Sequence, residues 1–122
     1  FVQIDQIDHA GHSDGHRSEG YFAMVKDVDA QVGQIVQAVK DAGIYDDAVI
    51  VIVGDHGGVG YGHGGSHPDE ITVPLVVSGK GIKKNHKIEE VVSVIDYAGI
   101  VADALGVEHP QCWRSKSLNI FE

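Results

Sequence analysis

The chain has 122 residues, 43% hydrophobic and 22% charged, a composition typical of a globular domain and not of a disordered or fibrous protein. Basic residues number 9 and acidic residues 18, giving a net charge of −9, which argues against binding to a nucleic-acid duplex because like charges repel. The longest apolar run, from Ala48 to Val53, is too short to span a bilayer. A single cysteine excludes an internal disulfide framework.

The first half of the chain is predicted to begin with a strand, a loop and a helix. Residues 1–4 alternate weakly and are expected to form a short strand, and residues 5–16 form a polar, histidine-rich loop. Ser18 begins a long amphipathic helix whose apolar residues recur at steps of three and four, and Gly43 marks its end. Residues 48–53 are apolar on both faces, which is typical of a central strand in a parallel sheet.

A second loop rich in glycine and histidine covers residues 54–70, and strands are predicted over residues 73–77 and 88–94. A C-terminal helix has Asp96 as its predicted N-cap and ends at Gly106. This order predicts an α/β fold, a mostly parallel sheet flanked by helices. Because sites in open α/β sheets form at the carboxyl ends of strands, we expect the two histidine-rich loops to meet at one edge of the sheet.

The first histidine-rich loop offers a pair of metal ligands. Asp8 and His12 are four residues apart, so both can reach one ion, either across a helical turn or in a tight loop. Solvated loop residues are the alternative, and Asp5 could take the place of Asp8. His9 and His16 flank the candidate ligands and are expected to support them or to be solvated. Carboxylate and imidazole together suit zinc, or manganese and iron in a wetter site.

The second histidine-rich loop offers three or four more ligands. Asp55 and His56 directly follow an apolar strand, where an ionised carboxylate needs a partner such as a cation. An Asp55 that caps the loop by accepting backbone N–H groups is the alternative. His63 or His67 would complete a three-ligand site with the first loop, and Asp55 and His56 would form half of a second. Two metals about 4 Å apart can clamp both sides of a displacement at phosphorus.

These motifs together resemble the C-terminal part of the alkaline phosphatase superfamily, and the type I phosphodiesterase/nucleotide pyrophosphatase branch is the most similar. The resemblance extends from Phe1 to about Leu118. The motifs that carry it are D-x-x-x-H at residues 8–12, G-D-H-G-G at 54–58, H-G-G at 63–65 and V-P-L-V-V-S-G at 73–79. The resemblance implies an alkaline phosphatase-like fold whose N-terminal half is incomplete here.

The same resemblance implies two divalent metals, zinc in the first place and manganese as the alternative. Asp8, His12 and His63 match the ligands of one zinc, and Asp55 and His56 match two ligands of the other. It further implies a metal-dependent phosphoric ester hydrolase, acting on a phosphate ester or a nucleotide-like substrate. Residues 64–70 contain no lysine of the kind expected in a sulfatase-like site, which favours phosphate over sulfate.

The family's nucleophile, a Thr or Ser, is expected upstream of Phe1, and no residue of this chain is assigned to it. Residues 1–122 are therefore expected to be a single domain or the C-terminal segment of a larger catalytic domain, with uncertain activity in isolation. The alternatives are a non-catalytic metal-binding or interaction module and a sulfatase-like sulfuric ester hydrolase fragment. The N-terminal part of such a domain would normally cover strand edges and apolar surface of the sheet. Without it, we expect the chain to self-associate through the sheet or the long helix.

Overall fold

The computed structural model describes all residues, 1–122, and contains helices and one small sheet. The helices are α1 (Gln6–Asp14), α2 (Glu19–Asp41), α3 (Pro68–Ile71) and α4 (Asp96–Leu105), and the strands are β1 (Val49–Val53) and β2 (Leu75–Gly79). The chain divides into two compact units. Residues 1–45 and 54–74 form the first unit, and residues 46–53 and 75–122 form the second. No helix combines the length and the apolar character that a membrane crossing requires.

The start of the chain differs from the prediction. Residues 1–4 form no strand, since no neighbouring strand is there to pair with them, and the loop predicted over residues 5–16 contains α1. Polar residues and Gly11 give this segment a low helix propensity. Packing supplies the missing stability, because α1 contacts α2 and buries Ala10 and Gly11.

The long helix is confirmed as α2. The Ser18 hydroxyl accepts a hydrogen bond from the Tyr21 N–H at 3.1 Å and caps the first turn. Val28 is buried on its apolar face. The helix ends at Asp41, and Gly43 follows with a φ of +71°, a left-handed conformation that glycine adopts without strain.

The sheet is antiparallel, so the prediction of a mostly parallel sheet is wrong. β1 pairs with β2 alone, with Val51 opposite Val77. An apolar run predicts coverage of both faces of a strand, but it carries no information about the direction of the neighbour. Ile52 and Val53 are 38% and 40% exposed, so the end of β1 is also less covered than its sequence suggests.

The second unit has its own apolar core. Ile100 of α4 is fully buried, and Leu118 and Ile120 from the C-terminal segment are 5% and 3% exposed beside it. Residues 88–94 form no strand, although Ile88 and Val92 pack against this core. The irregular C-terminal segment therefore supplies apolar groups that α4 and the sheet would otherwise leave uncovered.

The predicted ends of the last helix are partly right. Gly106 ends α4 in the left-handed conformation, with a φ of +64°. Ile95 occupies the N-cap position, and Asp96 is the first residue of the helix. The Asp96 carboxylate is buried and accepts hydrogen bonds from the N–H groups of Ser93 at 2.8 Å and Lys116 at 3.0 Å. This side chain thus joins the turn before α4 to the C-terminal segment.

Candidate metal centre

Three predicted ligands converge within the first unit. Asp8 and His12 lie one helical turn apart on α1, and His63 reaches them from the loop between residues 54 and 67. The Asp8 Oδ1 atom lies 3.5 Å from His12 Nε2 and 3.4 Å from His63 Nε2, and the two nitrogen atoms are 3.1 Å apart. The two histidine-bearing segments meet as a helix and a loop, and not as two loops following parallel strands as the sequence suggested.

The three facing donor atoms of this cluster fit a cation. Asp8 Oδ1 is buried and has no hydrogen-bond partner. A neutral imidazole presents a lone pair on one nitrogen, and the facing Nε2 atoms of His12 and His63 cannot both donate to each other. A divalent ion would accept lone pairs from the oxygen and from both nitrogens, and this donor set suits zinc or manganese. All three donor atoms lie within 4.8 Å of one another.

His12 is oriented for this role by a carbonyl of the loop. Its Nδ1–H donates to the Tyr61 carbonyl oxygen at 2.8 Å, which leaves the Nε2 lone pair directed at the cluster. A narrow turn fixes that carbonyl: the N–H of Val59 donates to the oxygen of Gly62 at 2.9 Å, and the N–H of Gly62 donates back at 3.2 Å. The sequence gives no signal for the role of a backbone carbonyl, so this contact was not predicted.

Asp55 and His56 form a separate pair next to the cluster. His56 Nδ1 donates to the Gly57 carbonyl at 2.9 Å, and its Nε2 lies 3.6 Å from Asp55 Oδ2. The ring of His56 stacks on that of His63 with centroids 3.7 Å apart. The Asp55 side chain is 89% exposed, and it also accepts the N–H of His56 at 2.9 Å. The structure therefore does not bring this pair into the three-donor group.

The two alternative ligands lie elsewhere. His67 caps α3, where its Nδ1 accepts the Asp69 N–H at 3.2 Å. Asp5 precedes α1 and accepts a hydrogen bond from Gln3 at 2.9 Å. Neither belongs to the three-donor group.

Glu70 stabilises the end of the ligand-bearing loop. Its carboxylate accepts the N–H groups of Gly65 at 3.0 Å and His67 at 3.1 Å. These bonds, with that of Gly65 the stronger, hold the pKa of Glu70 below its ordinary value. The spacing His67-x-x-Glu70 has the form of a capping box, with Pro68 as the first helical residue. That pattern was present in the sequence and could have predicted α3.

An ion pair joins the segment between α1 and α2 to α3. Arg17, between α1 and α2, donates to Asp69 Oδ1 at 2.6 Å. Arg17 has a φ of +68°, an uncommon conformation for a residue with a side chain. Its guanidinium group thus forms an ion pair with the Asp69 carboxylate.

The match to known proteins identifies the class. The family model described as Sulfatase matches residues 5–107, and the chain therefore belongs to the sulfatase family, within the alkaline phosphatase superfamily. The superfamily prediction is confirmed, whereas the phosphodiesterase/nucleotide pyrophosphatase branch is not shown. Proteins of this family bind divalent metals, in keeping with the Asp8, His12 and His63 cluster.

Particular relatives carry two kinds of name. Arylsulfatase K from Bos taurus is 29% identical over 103 residues, which are 80% of this chain and 19% of that protein. Arylsulfatase K from Gallus gallus is 34% identical over 86 residues, 62% of this chain and 15% of that protein. GPI ethanolamine phosphate transferase 1 from Chaetomium globosum is 35% identical over 85 residues, 69% of this chain and 9% of that protein. The chain thus spans less than a fifth of the length of these relatives, and no solved structure matches it.

Proposed function

We propose that this chain is the metal-binding part of a sulfatase-family enzyme that hydrolyses phosphoric esters. The observation that carries the proposal is the buried Asp8 Oδ1 atom, which has no hydrogen-bond partner and faces the Nε2 atoms of His12 and His63. A divalent metal bound there would polarise a non-bridging ester oxygen and lower the pKa of a bound water. Zinc is the first candidate and manganese the second.

Neighbouring residues of the chain would hold the metal ligands in place. The Tyr61 carbonyl contacts His12 Nδ1 at 2.8 Å and so leaves the Nε2 atom facing the cluster, and the stacked ring of His56 covers one face of His63. These contacts fix the donors before an ion arrives, which lowers the cost of ordering them on binding. We propose that the nucleophile, a Thr or Ser, comes from residues outside 1–122, as the family resemblance implies.

A second metal beside the first is part of the proposal. Asp55 and His56 would supply two of its ligands, and the remaining ligands would come from outside 1–122. The proximity of the His56 and His63 rings supports this placement. A nucleotide-like phosphodiester is the proposed substrate class, since two adjacent cations suit a displacement at phosphorus.

Sulfate esters are the second candidate substrate, and the arylsulfatase K relatives favour them. Against them, residues 64–70 contain no lysine, and the guanidinium group of Arg17 is paired with Asp69. Hydrolysis of bis(4-nitrophenyl) phosphate and of 4-nitrophenyl sulfate, each with added zinc or manganese, separates the two. Metal-dependent hydrolysis of the sulfate ester alone would contradict the phosphate proposal. Hydrolysis of neither ester by this chain is expected both from a nucleophile outside 1–122 and from the non-catalytic metal-binding alternative, so only hydrolysis of one of the esters separates the candidate substrates.

The metal proposal itself is tested by metal content. After dialysis against zinc and then buffer, mass spectrometry should find bound zinc in the wild-type chain and much less in Asp8→Ala. Asp5→Ala is the matched control, because Asp5 lies one turn earlier and outside the cluster. Asp55→Ala should remove only a weaker second equivalent. Equal zinc content in the wild type and Asp8→Ala would overturn the proposal.

We also propose that the isolated chain self-associates through its sheet or through α2. Each strand has one neighbour and therefore one open edge, and Val76 on β2 is 52% exposed. On α2, Phe22 is 58% exposed. Light scattering at high protein concentration should find species larger than a monomer, and a monodisperse monomer would contradict this.

A further inference from the structure

We infer that His16 is a positioning residue for the metal centre: it fixes the loop that carries His63 against α1. The inference rests on the proposed function, since the geometry that His16 sets is that of the proposed ligands. His16 lies four residues after His12, just beyond the end of α1. It is not among the three donors, so any effect on the metal acts through the loop.

His16 and His12 hold two consecutive carbonyls of the loop. The backbone N–H of His16 donates to the Gly60 oxygen at 2.7 Å, and the ring Nδ1 contacts the same oxygen at 3.1 Å. The next carbonyl, that of Tyr61, accepts the Nδ1–H of His12 at 2.8 Å. His63 follows two residues later, so these contacts set the register in which its Nε2 atom reaches Asp8.

The His16 ring is wedged between two glycines, one on each of the joined segments. A Cβ atom at Gly11 of α1 would lie 2.5 Å from His16 Nε2, and a Cβ atom at Gly58 of the loop would overlap the ring. Both glycines are buried, and neither has a positive φ. Their backbone conformations are therefore open to other residues, and the missing side chains make room for the imidazole.

On the side away from His16, the loop is hydrogen-bonded to α3. The N–H of Gly57 donates to the Glu70 oxygen at 2.7 Å, and the N–H of Gly58 donates to the Asp69 oxygen at 3.0 Å. Tyr21 of α2 supports the His16 ring with centroids 5.5 Å apart. The loop is thus clamped between His16 and α3. Without the imidazole, the Gly60 oxygen loses its side-chain donor and the two glycines lose the ring packed between them. The loop is then free to move relative to α1, and the distance between His63 and Asp8 is no longer fixed.

Cobalt binding tests the inference, because the visible absorption of Co²⁺ reports the geometry of its ligands as well as the affinity. His16→Ala should raise the dissociation constant for Co²⁺ about 10-fold or more, as removal of groups that orient ligands commonly does, and should change the spectrum. His16→Asn should recover part of both, since an asparagine side-chain N–H can replace the Nδ1–H donor to Gly60. His9→Ala, an exposed histidine on α1, is the matched control and should behave as the wild type.

Gly58→Ala keeps the inference testable if His16→Ala does not fold, which far-UV circular dichroism decides. The added methyl group should displace the imidazole and weaken Co²⁺ binding about 10-fold. Wild-type affinity and spectrum in His16→Ala, or in Gly58→Ala where His16→Ala does not fold, would overturn the role of His16 and leave the metal centre standing. Absence of Co²⁺ binding by the wild type would overturn the proposed metal centre, and the role of His16 with it.

Discussion

Replacing Asp96 should cost a large fraction of the stability of the second unit. The side chain is 3% exposed, and its two oxygens accept the N–H groups of Ser93 and Lys116 at 2.8 and 3.0 Å. Hydrogen bonds to a charged group contribute about 1.5–3 kcal/mol each. Asp96→Ala removes both and leaves two N–H groups without partners, so we expect a loss of about 3–5 kcal/mol, against a total of about 5–15 kcal/mol for a typical domain.

Asp96→Asn should give an unfolding free energy between those of the wild type and Asp96→Ala, for a reason that lies in the geometry. The asparagine oxygen can still accept one N–H group, but its NH₂ group would face the other donor. We therefore expect a loss of about 1.5–3 kcal/mol. Urea unfolding followed by the fluorescence of Trp113, which lies in this unit, measures each value. Asp46→Ala, which removes an exposed carboxylate in the same unit, is the control.

The contribution of Asp96 should also depend on pH in a defined direction. Burial alone would raise the pKa of this carboxyl, but the N–H groups of Ser93 and Lys116 outweigh it and hold the pKa below its usual value. A lowered pKa in the folded state means that the stabilisation is complete above the unfolded-state pKa of about 3.9 and is lost as the pH falls through the folded-state value. The gap between wild type and Asp96→Asn should accordingly narrow in acid. A gap that stays constant from pH 7 into that range, or an Asp96→Ala loss below about 0.5 kcal/mol at neutral pH, would refute the reasoning.

Two glycines and one cap give further predictions. Gly33→Ala in α2 should stabilise the chain by about 0.5–1 kcal/mol in urea unfolding, because the site is exposed helix with free space around it. Gly79→Ala should destabilise it by about 1–3 kcal/mol, because Gly79 has a φ of +130° and an added Cβ would overlap the Ala48 carbonyl across the sheet. Ser18→Ala should cost about 1 kcal/mol through loss of the α2 cap, read from thermal unfolding by far-UV circular dichroism.

The same paired variants provide the contradicting outcomes. Equal effects of Gly33→Ala and Gly79→Ala would show that backbone conformation does not separate these glycines. Ser117→Ala, at an exposed serine in an irregular segment, is the control for the cap. If Ser18→Ala and Ser117→Ala unfold at the same temperature, the capping role of Ser18 is contradicted.

The parts of the fold that local patterns determine were predictable. The apolar stripe and serine cap of α2 predicted that helix, and Gly106 predicted the end of α4. The direction of the β1–β2 pairing was not predictable, because side-chain alternation identifies faces of a strand and not its partner. Helix α1 was missed because its residues favour a loop and packing overrides that preference.

The candidate site was predictable in its residue types and less so in its arrangement. The spacing of Asp8 and His12 allowed a helical turn, which is the form they take. The choice between His63 and His67 depends on a fold around Gly60 and Tyr61 that no local pattern encodes, and the structure places His63 beside Asp8. Whether these residues bind a metal stays a prediction.

X-ray absorption at the zinc edge tests that central prediction most directly. The zinc-loaded chain should show oxygen and nitrogen ligands at about 2.0–2.2 Å, with an imidazole contribution fitted by two rings, from His12 and His63. His63→Ala should reduce that contribution to one ring, and the exposed His86→Ala should leave it unchanged. Failure of the chain to retain zinc, or an imidazole contribution that His63→Ala leaves intact, would contradict the account.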